Sequence, residues 1–391
     1  MRASIPGNRD LIKAMNRNLL LNTLRREGAL SRTQLTEISN LSVGAVSQLI
    51  NELIEEDWVF ESGEGDYTGG RRQMYLRLNP DAGYALGLKV METRVVCAVT
   101  NFEAQVLHYS EYPLNRDLND VAFVRSLAAI VDQTIGSSGL AKPAFFGLGI
   151  GLAGVIDPHE GVVQYSPFLG LRSLPLARLL REQLGMPVAI ENDVNTLTLT
   201  EHLFGAGRHH RNFIVVTVGR GVGMGMVLQG QLYQGLRGGA GELGHNIVDL
   251  ERARRSTPES GSLEGLSADP AVIAASGHRS LVEVTQAAAD GDHDAQEALR
   301  RSGEYLGVAL AGAINILSPS LVIVSGEGVN AGDYRLKPML EALRRYTFNG
   351  LLEGVEIVVE PADDRTWARG AAALVLSRVF ESPLVARQPV T

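Results

Sequence analysis

From about residue 81 onward, short apolar runs of strand-like composition alternate with stretches in which apolar residues recur at helical spacing. This alternation is typical of an α/β protein. Strands are predicted at 84–90, 95–100, 145–150, 188–190, 213–217, 224–228, 321–324 and 355–359. Helices are predicted at 120–135, 176–184, 196–203, 280–290, 294–316, 336–347 and 367–380. The polar segment 252–262 is predicted to be a surface loop.

The bulk composition limits the class of protein. With 391 residues, two or three domains are expected, and 45% hydrophobic with 20% charged residues is ordinary for a soluble globular chain. No apolar run is long enough to span a bilayer, and the N-terminus lacks the apolar core of a secretory signal. The single cysteine, Cys97, excludes an intrachain disulfide. A cytoplasmic protein with no membrane partner is predicted.

The first 60 residues contain three helix patterns separated by short turns. Gly28 ends the first pattern, and the hydroxyls of Ser31 and Ser42 can cap two further helices. The third helix has one apolar face, formed by Val46, Leu49, Ile50, Leu53 and Ile54. Two helices joined by a tight turn, the second of them amphipathic, form the helix-turn-helix pattern.

In a helix-turn-helix, the first turns of the second helix of the pair enter the DNA major groove. The residues predicted to contact DNA there are Ser42, Val43, Gly44, Ser47 and Gln48. Gln48 can make two hydrogen bonds to adenine, and Val43 can touch a thymine methyl group. Gly44 is small enough to permit close approach.

A wing is predicted after the third helix. Residues 58–60 and 74–78 form its two strands, and Arg71 and Arg72 follow two glycines at its tip, where they suit insertion into a narrow minor groove. Residues 1–51 carry seven basic and three acidic residues, whereas the whole chain has a net charge of −8. A basic head on an acidic chain predicts that contact with double-stranded DNA is confined to this end.

Behind the head, four segments follow in a fixed order. They are Gly151-Leu152-Ala153-Gly154-Val155-Ile156-Asp157, Glu191-Asn192-Asp193-Val194-Asn195, the glycine-rich tract 219–225, and Gly239-Ala240-Gly241-Glu242-Leu243-Gly244-His245. With this order, essentially the whole chain resembles the ROK family (repressors, open reading frames and sugar kinases). The resemblance is greatest to the branch of transcriptional repressors that respond to sugars such as glucose and N-acetylglucosamine.

The resemblance implies a fold and a division of the chain. The fold is a winged helix-turn-helix followed by an actin-like (ribonuclease H-like, sugar-kinase-type) two-lobed α/β body with a sugar between its lobes. Residues 1–80 are predicted to form the DNA-binding domain, 81–195 the first lobe, and 196–391 the second lobe with the dimerisation surface. Whether the C-terminal helix returns to the first lobe is left open.

Candidate sugar contacts combine the residue types with the resemblance. Sugar hydroxyls are bound by side chains that donate and accept hydrogen bonds together. Asn192 and Asp193 follow a strand end, where a ligand crevice is expected, and Glu242 and His245 lie three residues apart. By resemblance these four match the family's sugar contacts, and Glu264 matches the acidic residue that ends the family's cysteine-rich motif. Ordinary surface roles for Glu242 and His245 are the alternative.

Two departures from the family's kinases bear on catalysis. Their first phosphate-binding loop, Asp-x-Gly-x-Thr, aligns with Lys89, Met91 and Thr93, so the carboxylate and the loop glycine are both missing. A nucleotide-side Gly-Gly-Gly becomes Gly326-Glu327-Gly328, which places negative charge near a polyphosphate. Asp193 matches the kinase general base and is predicted to act here only as a hydrogen-bond acceptor. We therefore predict no kinase activity, no catalytic residues and no cofactor.

The family's zinc motif has also changed. Its pattern, Cys-x-Cys-Gly-x-x-Gly-Cys, aligns with Arg255, Thr257, Pro258, Gly261 and Ser262, so all three thiolates are absent. A structural zinc needs four ligands, which His245 alone does not supply. No metal is predicted.

Together these features predict a sugar-responsive transcriptional regulator that binds a double-stranded DNA operator as a homodimer or tetramer. The predicted role is repression of carbohydrate uptake or catabolism genes, and activation is left open. Its effector is a sugar or a sugar phosphate; the identity is open, since Phe168 stands where many relatives have an asparagine. Two alternatives remain. One is an ATP-dependent sugar kinase that carries a DNA-binding head. The other is a regulator whose signal is a partner protein, such as a component of the phosphotransferase system.

Overall fold

The computed structural model describes residues 8–64, 74–115 and 119–381. The chain divides into two compact units. The first comprises residues 1–191, 199–209 and 368–391, and the second comprises residues 192–198 and 210–367. Within the described ranges, no helix is long and apolar enough to cross a membrane.

The N-terminal part of the first unit is a winged helix-turn-helix, as predicted. Its elements are α1 (Asn8–Glu27), β1 (Leu30–Ser31), α2 (Arg32–Ser39), α3 (Val43–Glu55), β2 (Val59–Glu64) and β3 (Met74–Leu78). Ser31 and Ser42 cap α2 and α3 by accepting hydrogen bonds from the backbone N–H groups of Gln34 and Ala45. Asn40, at φ 55°, makes the turn between these helices. The strands form an antiparallel sheet in the order β1-β3-β2.

The remainder of the first unit contains two sheets. Its elements, in chain order, are β4 (Tyr84–Val90), β5 (Arg94–Thr100), β6 (Val106–Pro113), α4 (Asp120–Ser138), β7 (Phe145–Leu152), β8 (Val155–Asp157), β9 (Val162–Ser166), β10 (Leu171–Leu174), α5 (Leu176–Leu184), β11 (Val188–Asn192) and α6 (Asp193–Phe204). The main sheet has the order β11-β7-β4-β5-β6, and β8 to β10 form a small sheet of their own. Strand β4 pairs antiparallel with β5 and parallel with β7.

The second unit repeats the strand order of that main sheet. Its elements are β12 (Phe213–Val218), β13 (Val222–Leu228), β14 (Gln231–Leu232), α7 (Leu250–Arg255), α8 (Leu263–Ser267), α9 (Asp269–Ser276), α10 (Leu281–Ala289), α11 (His293–Leu317), β15 (Leu321–Ser325), α12 (Asp333–Tyr346), β16 (Glu356–Glu360) and the first turn of α13 (Asp364–Phe380), whose remainder belongs to the first unit. The sheet order is β14-β13-β12-β15-β16. Strand β12 pairs antiparallel with β13 and parallel with β15, as β4 does with β5 and β7.

Helices α6 and α13 occupy equivalent places, each after the last strand of its five-stranded sheet, and each has residues in both units. Glycines bring them close to their neighbours. A Cβ atom at Gly87 of β4 would lie 2.1 Å from the carbonyl oxygen of Ala368 in α13, and one at Gly225 of β13 would lie 2.0 Å from Oγ1 of Thr198 in α6. Side chains at these glycines would push the helices away from the strands.

The winged head and the main sheet of the first unit share one hydrophobic core. Trp58, beside the wing, packs against Phe102 with ring centroids 5.3 Å apart, and Phe102 stacks on Phe380 of α13 at 5.1 Å. Buried residues from α1 to α3 belong to the same cluster as Ala85, Phe102 and Leu376. The head is therefore packed into the unit rather than suspended from it.

The predicted strands and helices of the body are confirmed to within a few residues at their ends, but several elements were missed. Strand β6 has a mostly half-exposed pattern, and β8, β9, β10 and β14 are two to five residues long, so none gives a clear periodic signal. Helices α7 to α9 are also short, with five to eight residues each. Short elements depend more on tertiary contacts than on local pattern.

Candidate functional site

Helix α3 presents the residues that were predicted to contact DNA. Val43 is 70% exposed, Gly44 and Gln48 are also exposed, and Ser47 is half-buried. The Ser42 hydroxyl accepts a hydrogen bond from the backbone N–H of Ala45 at 3.2 Å, so it caps the helix. The predicted wing residues Arg71 and Arg72 lie outside the described residues.

Ion pairs that the sequence analysis missed fix the position of α3. Lys13 of α1 donates to the Glu52 carboxylate at 2.8 Å, and Gln48 donates to the same carboxylate at 3.1 Å. The hydrogen bond from Lys13, followed by that from Gln48, lowers the pKa of Glu52 below its ordinary value. Arg17 forms a second pair with Glu56. Gln48 thus has an intramolecular partner that a base edge must replace.

Asn192 and Asp193 lie at the junction of β11 and α6. The Oδ1 atoms of both side chains accept a hydrogen bond from the backbone N–H of Val194, each at 2.9 Å. Asp193 is 9% exposed and Asn192 is half-buried. The start of α6 therefore carries two polar side chains with further hydrogen-bonding atoms.

Glu242 and His245 flank a single 3₁₀ turn, Leu243–His245. The backbone N–H of His245 donates to the carbonyl of Glu242 at 3.2 Å, and the His245 ring nitrogen Nε2 lies 3.6 Å from the Glu242 carboxylate. Glu264, at the start of α8, accepts from the backbone N–H of Val222 at 2.9 Å. These three side chains come from two segments, the 3₁₀ turn and α8, that lie near the beginning of β13.

Electrostatics indicate that the three carboxylates lie near one another. Partial burial raises the pKa of Glu242; the neighbouring charges of Glu264 and Asp193 raise it further, and His245 opposes the change. The side chain of Glu242 is still 46% exposed, so water reaches the group. The second unit contains Asn192, Asp193, Glu242, His245 and Glu264. A half-open cluster of acceptors, an amide and an imidazole can bind a polyhydroxylated ligand.

Glycines make this arrangement possible. A Cβ atom at Gly241 would lie 1.9 Å from the carbonyl oxygen of Met224, and one at Gly244 would lie 2.3 Å from that of Val222. Gly241 also has φ +95°, a conformation that favours glycine. The segment that carries Glu242 can therefore lie directly against β13.

The segment aligned with the zinc motif lies at the surface, as predicted for 252–262, but the prediction of a loop is wrong, because the segment contains the end of a helix and a 3₁₀ turn. Asp249 caps α7 by accepting from the backbone N–H of Arg252 at 2.9 Å, and a 3₁₀ turn covers Pro258–Gly261. The two ends meet where the N–H groups of Val248 and Asp249 donate to the carbonyl of Gly261, at 3.0 and 3.1 Å. Backbone hydrogen bonds and a cap hold this segment. The cap is local, but the bonds to Gly261 join residues 12 and 13 positions apart, and the polar composition gives no sign of them.

Across the described ranges, no three or more His, Cys, Asp or Glu side chains are grouped so that they could hold a metal ion. At the start of the 3₁₀ turn Glu327–Ala331, Trp367 donates its indole N–H to Glu327 at 2.9 Å. The other carboxylate oxygen of Glu327 lies 2.6 Å from where a Cβ of Gly219 would be. A carboxylate therefore lies against the glycine turn between β12 and β13.

Comparisons with known proteins agree with this architecture. The model of the ROK family matches residues 85–378, and a model of winged helix-turn-helix DNA-binding domains matches residues 16–59. The xylose repressor of Caldicellulosiruptor bescii is 27% identical over 397 residues, which cover 96% of this chain and 99% of that protein.

Two solved structures add detail on the fold. A ROK family transcriptional regulator that is a homologue of the E. coli MLC protein has a TM-score of 0.83 and 22% identity, covering 96% of this chain and 99% of that one. The ROK hexokinase of Thermus thermophilus has a TM-score of 0.63 and 27% identity, covering 76% of this chain and 99% of that one. The regulator matches head and body, whereas the hexokinase matches a smaller share of the chain.

Proposed function

The chain belongs to the ROK family and carries a winged helix-turn-helix ahead of the family's body, and from that premise we propose that it is a sugar-responsive transcriptional regulator, most simply a repressor. One observation carries the proposal. The same chain has exposed residues on α3 and a half-open cluster of carboxylate, amide and imidazole side chains. The relation to a xylose repressor over nearly the full length of both chains supports it.

We place DNA recognition on α3 and the wing. Val43, Gly44, Ser47 and Gln48 would meet base edges in the major groove, with Ser42 holding the start of the helix, and Arg71 and Arg72 would enter the minor groove. Two copies of the chain would place two heads on half-sites of a symmetric operator, one or more helical turns apart. A homodimer or a tetramer satisfies this requirement.

We assign effector binding to Asn192, Asp193, Glu242, His245 and Glu264. Their acceptors and donors suit the hydroxyl groups of a sugar, and hydrogen bonds to charged groups contribute about 1.5–3 kcal/mol each. Sugar binding would change operator affinity only through unequal affinity for two states of the protein, with a coupling of about 1–3 kcal/mol.

We further propose that the chain does not phosphorylate its sugar, although the family includes kinases. Met91 begins the tight turn between β4 and β5, where its N–H donates to the carbonyl of Arg94 at 2.9 Å, and Lys89 is 7% exposed. Neither residue supplies the carboxylate or the open backbone of a phosphate loop. The Glu327 carboxylate beside Gly219 would repel a polyphosphate.

The direct test is capture of genomic fragments by the purified full-length chain at moderate salt, followed by sequencing. Retention of a few sites that share a two-fold symmetric motif beside carbohydrate genes is the expected result, and Gln48→Ala should relax preference at one position of each half-site. If the wild type and the Gln48 variant both retained fragments without sequence preference, the proposal that the chain is a transcriptional regulator would be wrong. The neighbouring genes would also separate a sugar effector from a partner protein.

A further inference from the structure

Helix α1 of the head covers the carbonyl ends of two body helices. Asn22 donates to the carbonyl of Phe380 at 2.8 Å and Asn18 to that of Glu381 at 2.9 Å, where α13 ends. Arg25 donates through Nη1 to the carbonyl of Leu203, near the end of α6. The last carbonyls of a helix lack intrahelical partners, and a cation there is favoured by the helix dipole. These donors therefore stabilise the contact between the head and both helices.

Arg25 is held in place from several sides. Its Nε and Nη2 atoms donate to Oδ1 of Asn22 at 3.3 and 3.2 Å, and its guanidinium lies 5.3 Å from the ring centroid of Phe380. Phe204, the last residue of α6, packs edge-on against Phe380 at 6.2 Å. Burial, with a smaller contribution from Arg26, lowers the pKa of Arg25 to about 10, so the side chain remains charged at neutral pH.

The other end of α6 lies in the proposed sugar site. Asp193 is its first residue, and Thr198, one turn further on, lies against Gly225 of β13. The helix has 12 residues and is therefore roughly 18 Å long. Residues 193–198 of α6 belong to the second unit and residues 199–204 to the first, so this one continuous helix joins the proposed sugar contact Asp193 to Leu203, the partner of Arg25.

Helix α13 also ends on α1, but unlike α6 it does not begin at a residue assigned to sugar binding. Its first turn contains Asp364 and Trp367, and the residues assigned to the sugar lie on other elements. Of the two helices that end on α1, α6 is thus the one that starts at an assigned sugar contact. Asn18 and Asn22 anchor the head to α13, and Arg25 donates to α6.

We propose that α6 carries the sugar signal to the DNA-binding head, with Arg25 as the positioning residue that couples its far end to α1. The inference rests on the proposed function, because it needs a sugar at Asp193 and an operator at α3. It predicts that the strength of the sugar response, rather than either binding affinity, depends on Arg25.

The test is operator binding by the full-length chain, measured by fluorescence anisotropy with and without a saturating sugar. The probes are D-xylose, D-glucose, N-acetyl-D-glucosamine, glucose 6-phosphate and N-acetylglucosamine 6-phosphate. Arg25→Met removes the donors and keeps an unbranched chain, and Arg25→Lys keeps a cation. Arg26→Met is the matched control, because the Arg26 side chain forms an ion pair with its exposed neighbour Glu27 instead of contacting α6 or α13 in the described part of the chain. Calorimetry gives the sugar affinity of each variant, and thermal melting reports its stability.

In the wild type, one of these sugars should change operator affinity by about 5- to 150-fold, the usual range of such coupling. In Arg25→Met, most of this sugar-induced change in operator affinity should be lost, while the sugar affinity and the operator affinity without sugar are retained. Arg25→Lys should recover part of the factor, and Arg26→Met should behave as the wild type. A full response in a folded Arg25→Met protein would overturn the inference and leave the proposed function intact. No response of the wild type to any probe would overturn both.

Discussion

The turns β4–β5 and β12–β13 occupy equivalent places in two sheets of the same strand order, yet they differ in chemistry. In the first turn, the N–H of Met91 donates to the carbonyl of Arg94, and every residue of the turn has a side chain. Lys89 precedes this turn in β4. The second contains Gly219 and Gly221, and its strand β13 is tied to Glu264 through Val222. The turn beside the proposed sugar contacts contains two glycines, whereas its counterpart at residues 91–93 contains none.

Under the proposed function, this difference between the two turns distinguishes a sugar sensor from a sugar kinase. A kinase needs both turns, one for each side of a phosphoryl donor held against a sugar, whereas a sensor needs only the sugar. Retention of the second turn is explained by packing: a Cβ at Gly221 would lie 2.7 Å from the Glu264 carboxylate. The absence of a side chain at Gly221 therefore leaves room for the carboxylate of Glu264, an assigned sugar contact.

The largest expected effect is the absence of phosphoryl transfer. Incubated with Mg-ATP and each neutral sugar of the probe panel, the wild-type chain should give sugar phosphate only at the background rate. Enzymes commonly exceed the uncatalysed rate by about 10⁶-fold or more, so phosphorus NMR distinguishes the cases easily. Turnover by the wild type would contradict the distinction between the two turns, because the β4–β5 turn with Met91 would then accommodate a phosphoryl donor.

Removal of single charges from the assigned site should have the next largest effect. Asp193→Asn and Glu242→Gln should each weaken sugar binding by roughly 10- to 150-fold, corresponding to about 1.5–3 kcal/mol for a hydrogen bond to a charged group. Calorimetry with the responsive sugar provides the measurement. Glu251→Gln, on the exposed surface of α7, is the matched control and should bind as the wild type does. Equal affinity of all three variants would place the sugar elsewhere.

Substitution of Met91, in the first turn, and of Glu264, which supports the second turn from α8, should differ in their effect on folding. Glu264→Ala leaves the buried N–H of Val222 without its acceptor and should lower the free energy of unfolding by about 1–3 kcal/mol. Met91→Ala should cost less, and Glu264→Gln, which keeps an acceptor oxygen, should lie between. Urea denaturation compares the three. A larger loss of unfolding free energy for Met91→Ala than for Glu264→Ala would contradict the view that the β12–β13 turn depends on its contact with Glu264.

The smallest effect concerns pH. Because partial burial and neighbouring carboxylates raise the pKa of Glu242 in the folded chain, its contribution to stability is fully present below the pKa of the unfolded state and is lost as pH rises through the folded pKa. Glu242→Gln should therefore gain stability relative to the wild type between about pH 4 and about pH 7.5. Exposure of the group keeps this gain small. If the difference in melting temperature between Glu242→Gln and the wild type were the same at both pH values, this prediction would be contradicted.

Much of the fold followed from local signals in the sequence. Ser31 and Ser42 identified two helix starts because capping is a local interaction, and both caps are confirmed. Strand β4 was predicted with its observed bounds because all its residues are apolar, small or aromatic except Lys89. The shared core of Trp58, Phe102 and Phe380 was not predictable, since it joins residues far apart in the chain.

The candidate site shows the same division between local and distant signals. The residue types at 192–193 and 242–245 identified possible sugar contacts, and their roles stay predictions. The loop expected at 252–262 proved wrong because the bonds from Val248 and Asp249 to Gly261 are invisible in a polar composition. The bond from Arg25 to Leu203 spans 178 positions and has no sequence signature.

The most direct test of a sensor that binds sugar without phosphorylating it is release of a captured operator fragment by sugar in the absence of ATP. Anisotropy of the labelled fragment should fall as the responsive sugar is added to the wild type, and should stay constant with Asp193→Asn over the same range. Addition of Mg-ATP should change neither curve. A response that appears only with Mg-ATP, or that is identical in Asp193→Asn, would contradict the account.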